Sequence, residues 1–203
     1  MVGATGGLGR EVVAAACARG LVTVALARRL PEVPFPADVE IARGDVLDPS
    51  SLTAAVGNSD AVICALGTPS PRRPSTLLRD GSQNLVDAMA QAGVRRLVCV
   101  TLLGIGESAA NTSVFYRQVI LRFLAPMVPD KRAQERVARS SGLDWTLVRP
   151  PRFADGKPRG DVRVIREGER GRLGHVVRAD LARFLVECAA EGRYMRQAVA
   201  AGS

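Results

Sequence analysis

The 203-residue sequence is poor in aromatic residues, lysine and histidine, and it has no long apolar run. Aromatic residues make up 4% of the chain, which argues against a nucleic-acid platform built on stacked rings. A single histidine and four cysteines without a CxxC pair argue against zinc and predict buried core thiols rather than disulfides. No stretch of 18 apolar residues is present, so the sequence predicts no membrane span. The Gly-rich start shows no secretory signal, and we expect a cytoplasmic protein.

The chain is instead basic and moderately hydrophobic. Its net charge of +8 comes almost entirely from arginine, because Lys131 and Lys157 are the only lysines. The arginines are scattered along the chain, so the charge indicates either an anionic partner or only a biased composition, without choosing among phosphates, nucleic acid and membranes. Hydrophobic residues make up 47% of the sequence, which is enough for one core. We therefore expect a single domain over residues 1–203.

Short β-like runs alternate with helical runs along the chain. The β-like runs are nearly continuous apolar stretches, which is typical of a parallel sheet covered by helices on both faces. The strand candidates are 22–27, 39–42, 61–66, 97–101 and 145–148. The helix candidates are 11–18, 51–56, 77–92, 132–140 and 180–190. This alternation predicts an α/β fold with a doubly wound parallel sheet.

Two parts of the chain depart from this alternation. Only Met1 and Val2 precede the first Gly-rich turn, where such a sheet needs a central strand of about five residues. We therefore expect a truncated first strand, because either the strand is a stub or the true start lies upstream. Residues from about 150 to 177 predict a small substrate-side excursion. Its part from Gly156 to Gly174 is rich in Gly, Arg and Glu and predicts one or two short strands. A last strand is expected at 197–201.

The strongest motif is the run VGATGGLG at residues 2–9, in which Gly3, Gly6 and Gly9 recur at three-residue spacing. Such a turn needs glycine where φ is positive or where the backbone must approach a ligand closely. The helix that follows offers free N–H groups and the positive end of its dipole to a phosphate. Because the motif opens a helix and a strand follows at the expected distance, it predicts a dinucleotide-binding turn. The alternative is a purely structural Gly-rich turn.

The ends of the next two strands indicate which dinucleotide is bound. Arg28 and Arg29 stand where NAD-binding proteins carry an acidic residue for the ribose 2′-hydroxyl. A guanidinium can instead hold a 2′-phosphate, so we predict NADP(H) over NAD(H), with a solvated arginine pair as the alternative. Asp45 either accepts a hydrogen bond from the adenine amine, with Val46 against the ring, or caps the turn that follows it.

Together these motifs resemble the atypical short-chain dehydrogenase/reductases of the NAD(P)H-binding, NmrA-like family, and most of all the biliverdin-IXβ reductase/NADPH-dependent flavin reductase group. Further motifs that carry the resemblance are GDVLD at 44–48, DAVICALGT at 60–68, SGLDWTLVRPPR at 141–152 and RADLARFL at 178–185. The resemblance spans essentially the whole chain and implies a Rossmann fold with NADP(H) as cofactor. The cofactor-binding candidates are Gly3, Thr5, Gly6, Gly7, Leu8, Gly9, Arg28, Arg29, Asp45, Val46, Leu66, Gly67, Val100, Pro150 and Arg152.

The chain departs from this family at the catalytic positions. Classical members place a tyrosine four residues before the active lysine, but Met127 holds that position relative to Lys131. Leu102 stands where family members often have serine. A tyrosine-based alcohol dehydrogenase mechanism is therefore not expected. Hydride transfer to a flavin or quinone remains, with Lys131, a water bound to Thr101 or the solvent as the proton source. Alternatively, Lys131 is an exposed lysine at the start of a helix.

We therefore expect an NADPH-dependent reductase of a small conjugated acceptor that binds neither nucleic acid nor membranes and is a monomer or a weak homodimer. The competing hypothesis is a non-catalytic, redox-sensing regulator that binds NADP(H) and acts through a protein partner. The apolar stretch 114–124 predicts a helix. In it, Phe115 and Tyr116 either line a pocket for a flat ring or pack on the body of the protein.

Overall fold

A computed structural model describes residues 1–29, 31–68, 70, 72–113, 116–154 and 156–203, with only the backbone described at residues 117 and 120. Strands and helices alternate along the chain, as predicted. The α-helices are α1 (Gly7–Ala18), α2 (Pro49–Val56), α3 (Leu77–Ala92), α4 (Val128–Ser140) and α5 (Arg178–Ala190). The strands are β1 (Val24–Ala27), β2 (Glu40–Arg43), β3 (Ala61–Cys64), β4 (Arg96–Val100), β5 (Asp144–Arg149), β6 (Arg152–Ala154), β7 (Arg163–Arg166), β8 (His175–Val177) and β9 (Gln197–Gly202).

The central sheet is mostly parallel and confirms the doubly wound prediction. β2 pairs with β1, and β3, β4, β5 and β9 follow one another in parallel, with β7 antiparallel at the far edge. Val2 joins the two parts of the sheet because it pairs in parallel with Leu26 on one side and with Cys64 on the other. β6 and β8 form a separate two-stranded parallel ladder.

Only Val2 occupies the position of the expected first strand. Its N–H donates to Ile63 O, and its carbonyl accepts from the Ala65 N–H, both at 2.9 Å. Below Met1, at the amino ends of β1 and β3, lies a groove of about 500 Å³. The Gly-rich turn is nevertheless held at the carboxyl edge of the sheet, because Val2 is paired on both sides.

Helices cover both faces of the sheet. Leu52 of α2, Leu85 of α3 and Ala138 of α4 belong to the apolar cluster on one face. Val12 of α1 and Leu181 of α5 belong to the cluster on the other face. All four cysteines are free thiols, and only Cys17 is partly exposed. Within the described part of the chain, no helix is both long enough and apolar enough to cross a bilayer.

Several boundaries differ from those predicted. α1 begins at Gly7 and α4 at Val128, each four residues before the predicted start. Gly and Pro near these starts hide them, although Pro129 is tolerated because the first-turn N–H groups have no helical partner. β1 begins at Val24, two residues after the predicted start. Val22 is 95% exposed, whereas the residues of a buried parallel strand are covered on both faces. Between residues 156 and 174 the described structure has one strand, β7, in agreement with the one or two predicted there, and β6 and β8 lie on either side of this range.

The described part of the stretch 114–124 is helical, as predicted, but most of it is not a regular α-helix. Residues Tyr116–Leu121 form one π-helical segment, and Val114 and Phe115 lie outside the described residues. Tyr116 is 6% exposed and packs in an apolar cluster with Leu103 and Ile165. Of the two predicted roles for Tyr116, packing on the body of the protein therefore agrees with its position.

Candidate functional site

The Gly-rich turn is packed so closely that side chains are excluded at two of its glycines. Gly3 has φ of +82°, and a Cβ built on it lies 2.6 Å from Ala65 O. A Cβ on Gly9 lies 2.1 Å from Gly3 O, well inside van der Waals contact. A hydrogen bond of 3.1 Å from Gly6 N–H to Gly3 O closes the turn. The glycine spacing therefore reflects a steric requirement of the turn itself.

This turn leads directly into the amino end of α1. The first backbone hydrogen bond of this helix runs from Arg10 N–H to Gly6 O, at 2.9 Å. The N–H groups of Gly7, Leu8 and Gly9 precede it, and no described side chain caps them. Such donors at the positive end of a helix dipole suit a phosphate. All of the predicted turn residues thus meet at one helix start.

A cleft of about 330 Å³ opens above the turn, at the carboxyl edge of the sheet. Eight of the predicted cofactor residues line it: Gly3, Thr5, Gly6, Arg28, Asp45, Val46, Leu66 and Gly67. An ion pair of 3.8 Å joins Arg28 Nη1 to Asp45 Oδ2 across its mouth. Asp45 Oδ1 also accepts from Leu47 N–H at 3.0 Å, so this carboxylate caps the following turn as well as facing the cleft.

A second, open cleft of about 630 Å³ adjoins the first on the side of β1. Arg29 lines it together with Thr5, Arg28 and Arg10. Sequence analysis missed Arg10, although it directly follows the third glycine of the motif. Its guanidinium donates to Val33 O at 2.9 Å and lies 5.5 Å from the Phe35 ring centroid. Three arginines, together with the acidic Glu32 and Asp45, therefore line the cleft where the 2′-phosphate of NADP(H) is predicted to bind.

Val46 is fixed from the side opposite this arginine cluster. The side-chain amide of Asn84 donates to Val46 O at 2.9 Å. A Cβ on Gly81 of α3 would lie 2.8 Å from Val46 Cγ2, so α3 approaches this wall of the cleft closely. Sequence analysis did not single out either contact, because both depend on how α3 packs against the sheet.

Lys131 is buried beneath the ends of β3 and β4, and its prediction as an exposed lysine is wrong. It is 4% exposed, and its ammonium donates to Leu66 O at 3.1 Å, to Val100 O at 3.0 Å and to Gln134 Oε1 at 3.0 Å. These three acceptors match the three protons of an ammonium. Burial lowers the pKa of Lys131.

Thr101 follows β4 directly and belongs to a buried polar network that sequence analysis missed. Its hydroxyl donates to Glu135 Oε1 at 2.7 Å. Arg149 binds the same carboxylate through two hydrogen bonds of 2.8 and 2.6 Å, and also contacts Glu107. Pro150 follows Arg149 and accepts from Leu103 N–H at 3.1 Å. The one available sequence signal was the spacing of Lys131 and Glu135, which puts both on one face of α4.

The remaining predicted residues lie at the far side of the turn. Val100 ends β4 and is 5% exposed, with its carbonyl held by Lys131. Arg152 begins β6 and is exposed, and neither it nor Pro150 lines the 330 Å³ cleft. Their predicted contact with the nicotinamide half of the cofactor stays a prediction.

The tight glycine turn, the uncapped helix start and the cleft at the carboxyl edge define a dinucleotide-binding α/β domain. A sequence profile described as NAD(P)H-binding matches residues 3–192, and this chain belongs to that NAD(P)H-binding family. The predicted cofactor class is therefore confirmed. The residues present fit such a cofactor, since glycine is sterically required at the turn that is predicted to hold its diphosphate.

Named relatives extend this comparison. A (4-alkanoyl-5-oxo-2,5-dihydrofuran-3-yl)methyl phosphate reductase of Streptomyces griseus subsp. griseus is 32% identical over 154 residues, covering 75% of this chain and 47% of the relative. A short-chain dehydrogenase/reductase of Veillonella parvula, solved in complex with NADP, has a TM-score of 0.84 and 20% identity, and the match covers 100% of this chain and 92% of that one.

A third similar protein is ChuY of Escherichia coli, described as an anaerobilin reductase. It has a TM-score of 0.77 and 25% identity, and the match covers 99% of this chain and 94% of that one. The chain spans about half the length of the curated relatives it matches, between 47% and 61%.

Proposed function

We propose that the protein is an NADPH-dependent reductase that delivers hydride to a small conjugated acceptor, such as a flavin or a quinone. The observation that carries this proposal is that neither tyrosine of the chain is placed to act as an acid beside Lys131. The only two tyrosines, Tyr116 and Tyr194, are both packed in apolar clusters, and Met127 precedes Lys131 by four residues. Two relatives whose names include a reductase activity support the same class of reaction.

A conjugated acceptor suits a site without a tyrosine acid. Reduction of a simple ketone needs a group of tuned pKa that protonates the developing alkoxide. A flat, electron-poor ring accepts hydride mainly through proximity and alignment with the nicotinamide, which is the hydride donor when bound. The acceptor gains one hydride and one proton, so the site must supply only that proton.

Thr101 is the residue that we assign to this proton. Its own hydroxyl proton is committed to Glu135, so its oxygen is left to accept. A water molecule that donates a hydrogen bond to Thr101 then gives its other proton to the reduced acceptor, and the hydroxide left behind takes up a proton from solvent. Lys131 acts as a positioning residue in this scheme, because a direct proton donation would require one of its three N–H groups to leave its acceptor.

The direct test is anaerobic oxidation of NADPH with FMN, riboflavin and a panel of small quinones. We expect turnover with at least one of these acceptors and none with simple ketones. Clear NADPH binding without turnover of any conjugated acceptor would contradict the proposal and favour the regulator hypothesis.

Paired variants test the roles of the two residues. Thr101→Val should lower kcat by roughly 100-fold with little change in the KM for NADPH, whereas Thr101→Ser, which keeps the hydroxyl, should retain most activity. Lys131→Met should weaken cofactor binding and lower the melting temperature, whereas Lys157→Met, at an exposed lysine, should change neither. Equal kcat values for Thr101→Val and Thr101→Ser would remove Thr101 from the mechanism.

A further inference from the structure

Arg178 lies against the Gly-rich turn, although no motif links the two. It is the first residue of α5, and Gly7 is the first residue of α1. A Cβ built on Gly7 would lie 3.4 Å from Arg178 Nε and 3.6 Å from its Cδ. The Arg178 side chain therefore covers the side of Gly7 on which a Cβ would lie, next to the turn that is predicted to hold the diphosphate.

A ring contact helps to hold this side chain in place. Its Cζ atom lies 5.0 Å from the centre of the Phe153 ring, a cation–π distance. Phe153 is itself held in the β6–β8 ladder, where it pairs with Val176. One turn into α5, the buried carboxylate of Asp180 accepts from the N–H groups of Arg159 and Gly160 at 2.8 and 3.1 Å. The excursion is thus tethered to the helix that carries Arg178.

Two helix starts converge at this point. α1 and α5 pack in the same apolar cluster; α1 begins after the Gly-rich turn, and α5 begins directly after β8. Neither helix start is capped by a described side chain. The positive ends of both dipoles and the Arg178 guanidinium therefore face the same small region, which favours an anion there.

We propose that Arg178 binds the diphosphate of NAD(P)H through its nicotinamide-side phosphate and so positions the nicotinamide half of the cofactor. The side of the turn follows from the sheet order. Arg28 and Asp45 line the cleft on the β1 side of Val2, whereas Arg178 is absent from that lining and lies beside β6 and β8. This inference concerns the cofactor alone and holds whichever acceptor is reduced.

The test compares three ligands that share different parts of the cofactor. NADPH and NADH both carry the full diphosphate, whereas adenosine 2′,5′-bisphosphate lacks the nicotinamide-side phosphate. Arg178→Gln should raise the Kd of NADPH and of NADH by the same factor, about tenfold, because a charge-assisted hydrogen bond is lost. The Kd of the bisphosphate should change by less than about twofold. Arg19→Gln, which removes the same charge at the exposed far end of α1, should leave all three within about twofold.

Each other result overturns the proposal. If Arg178→Gln binds NADPH and NADH as Arg19→Gln does, Arg178 makes no contact with the diphosphate. If the bisphosphate weakens as much as NADPH, Arg178 acts on the adenosine side. Should Arg178→Gln fail to fold, Arg178→Lys decides the question. Lysine keeps the charge but lacks the forked donors, so NADPH and NADH should weaken equally by a few-fold, and unchanged affinity for both would refute the contact.

Discussion

Glu135 of α4 accepts a hydrogen bond of 2.7 Å from the Thr101 hydroxyl, and both side chains are buried. The same carboxylate also neutralises the buried guanidinium of Arg149 in β5. One side chain therefore fixes the hydroxyl at the end of β4 and the charge at the end of β5. The orientation of Thr101 and the stability of the domain depend on the same group.

Removing the Glu135 charge should destabilise the protein strongly. Among the described residues, Glu135→Gln leaves Arg149 with the partly exposed Glu107 as its remaining charged partner, and a buried charge that loses its partner costs about 3 kcal/mol or more. Urea denaturation should show this loss as a lower midpoint with an unchanged slope. Glu191→Gln, which removes the charge from exposed pairs with Arg19 and Arg193, should leave the midpoint almost unchanged. Equal losses of stability in Glu135→Gln and Glu191→Gln would show that the buried ion pair stabilises the protein no more than an exposed one.

Alanine substitution should distinguish the glycines of the site that have no room for a Cβ from those that have room for one. Gly9→Ala puts a Cβ 2.1 Å from Gly3 O, so the turn must move, and we expect a stability loss of about 3 kcal/mol and loss of NADPH binding. At Gly67 nothing lies within 4 Å of the added Cβ, so Gly67→Ala should change stability by less than about 0.5 kcal/mol. Thermal unfolding and calorimetric titration measure both effects. NADPH binding retained by Gly9→Ala would contradict the steric account of the turn.

Charge reversal at Arg28 should change the preference for the cofactor. Arg28→Asp places a carboxylate near the predicted 2′-phosphate, beside Asp45, so the Kd of NADPH should rise by about 100-fold. The Kd of NADH, which has no 2′-phosphate, should change by no more than about threefold. Arg132→Asp, at an exposed position of α4, is the control for the change in net charge. A similar loss of affinity for NADPH and NADH would refute the assignment of Arg28.

Burial raises the pKa of Tyr116 to about 12. In a Tyr194→Phe background, absorbance titration should therefore show one tyrosinate forming near that pH while circular dichroism confirms the fold. An unfolded tyrosine titrates near about 10. Below that pH both states keep the proton, and Tyr116 contributes fully to stability.

Between the unfolded and the folded pKa values, only the unfolded state releases the Tyr116 proton. Stability should therefore fall as the pH rises through this window. Tyr116→Phe should remove this part of the pH dependence. A tyrosinate that forms near pH 10 in the folded Tyr194→Phe protein would show that Tyr116 is not buried as described.

The sequence alone predicted the doubly wound parallel sheet and the Gly-rich turn. The turn was predictable for a physical reason. A Cβ on Gly9 would clash with the nearby backbone of Gly3, and a Cβ on Gly3 would clash with Ala65, which pairs with Val2. The motif itself therefore encodes the need for glycine at these two positions. Helix ends are encoded locally as well, because Gly20, Gly93 and Gly142 all have the left-handed φ that glycine favours.

The parts that the sequence did not predict depend on packing between distant elements. Arg149 and Glu135 meet only because α4 lies against β5, and Arg178 meets Gly7 only because α5 lies against α1. The burial of Lys131 follows from the rotation of α4 about its axis, which no local pattern specified. Catalytic and positioning side chains are therefore harder to read than the turn, because their partners are chosen by tertiary structure.

The ammonium of Lys131 ties the loop after β3 to the last residue of β4 through Leu66 O and Val100 O. Two neighbouring strand ends are thereby clamped to one another from below, within the free protein. The wall that meets the dinucleotide is already ordered when the ligand arrives, so little conformational entropy remains to be lost on association. Binding should then resemble docking onto a rigid template.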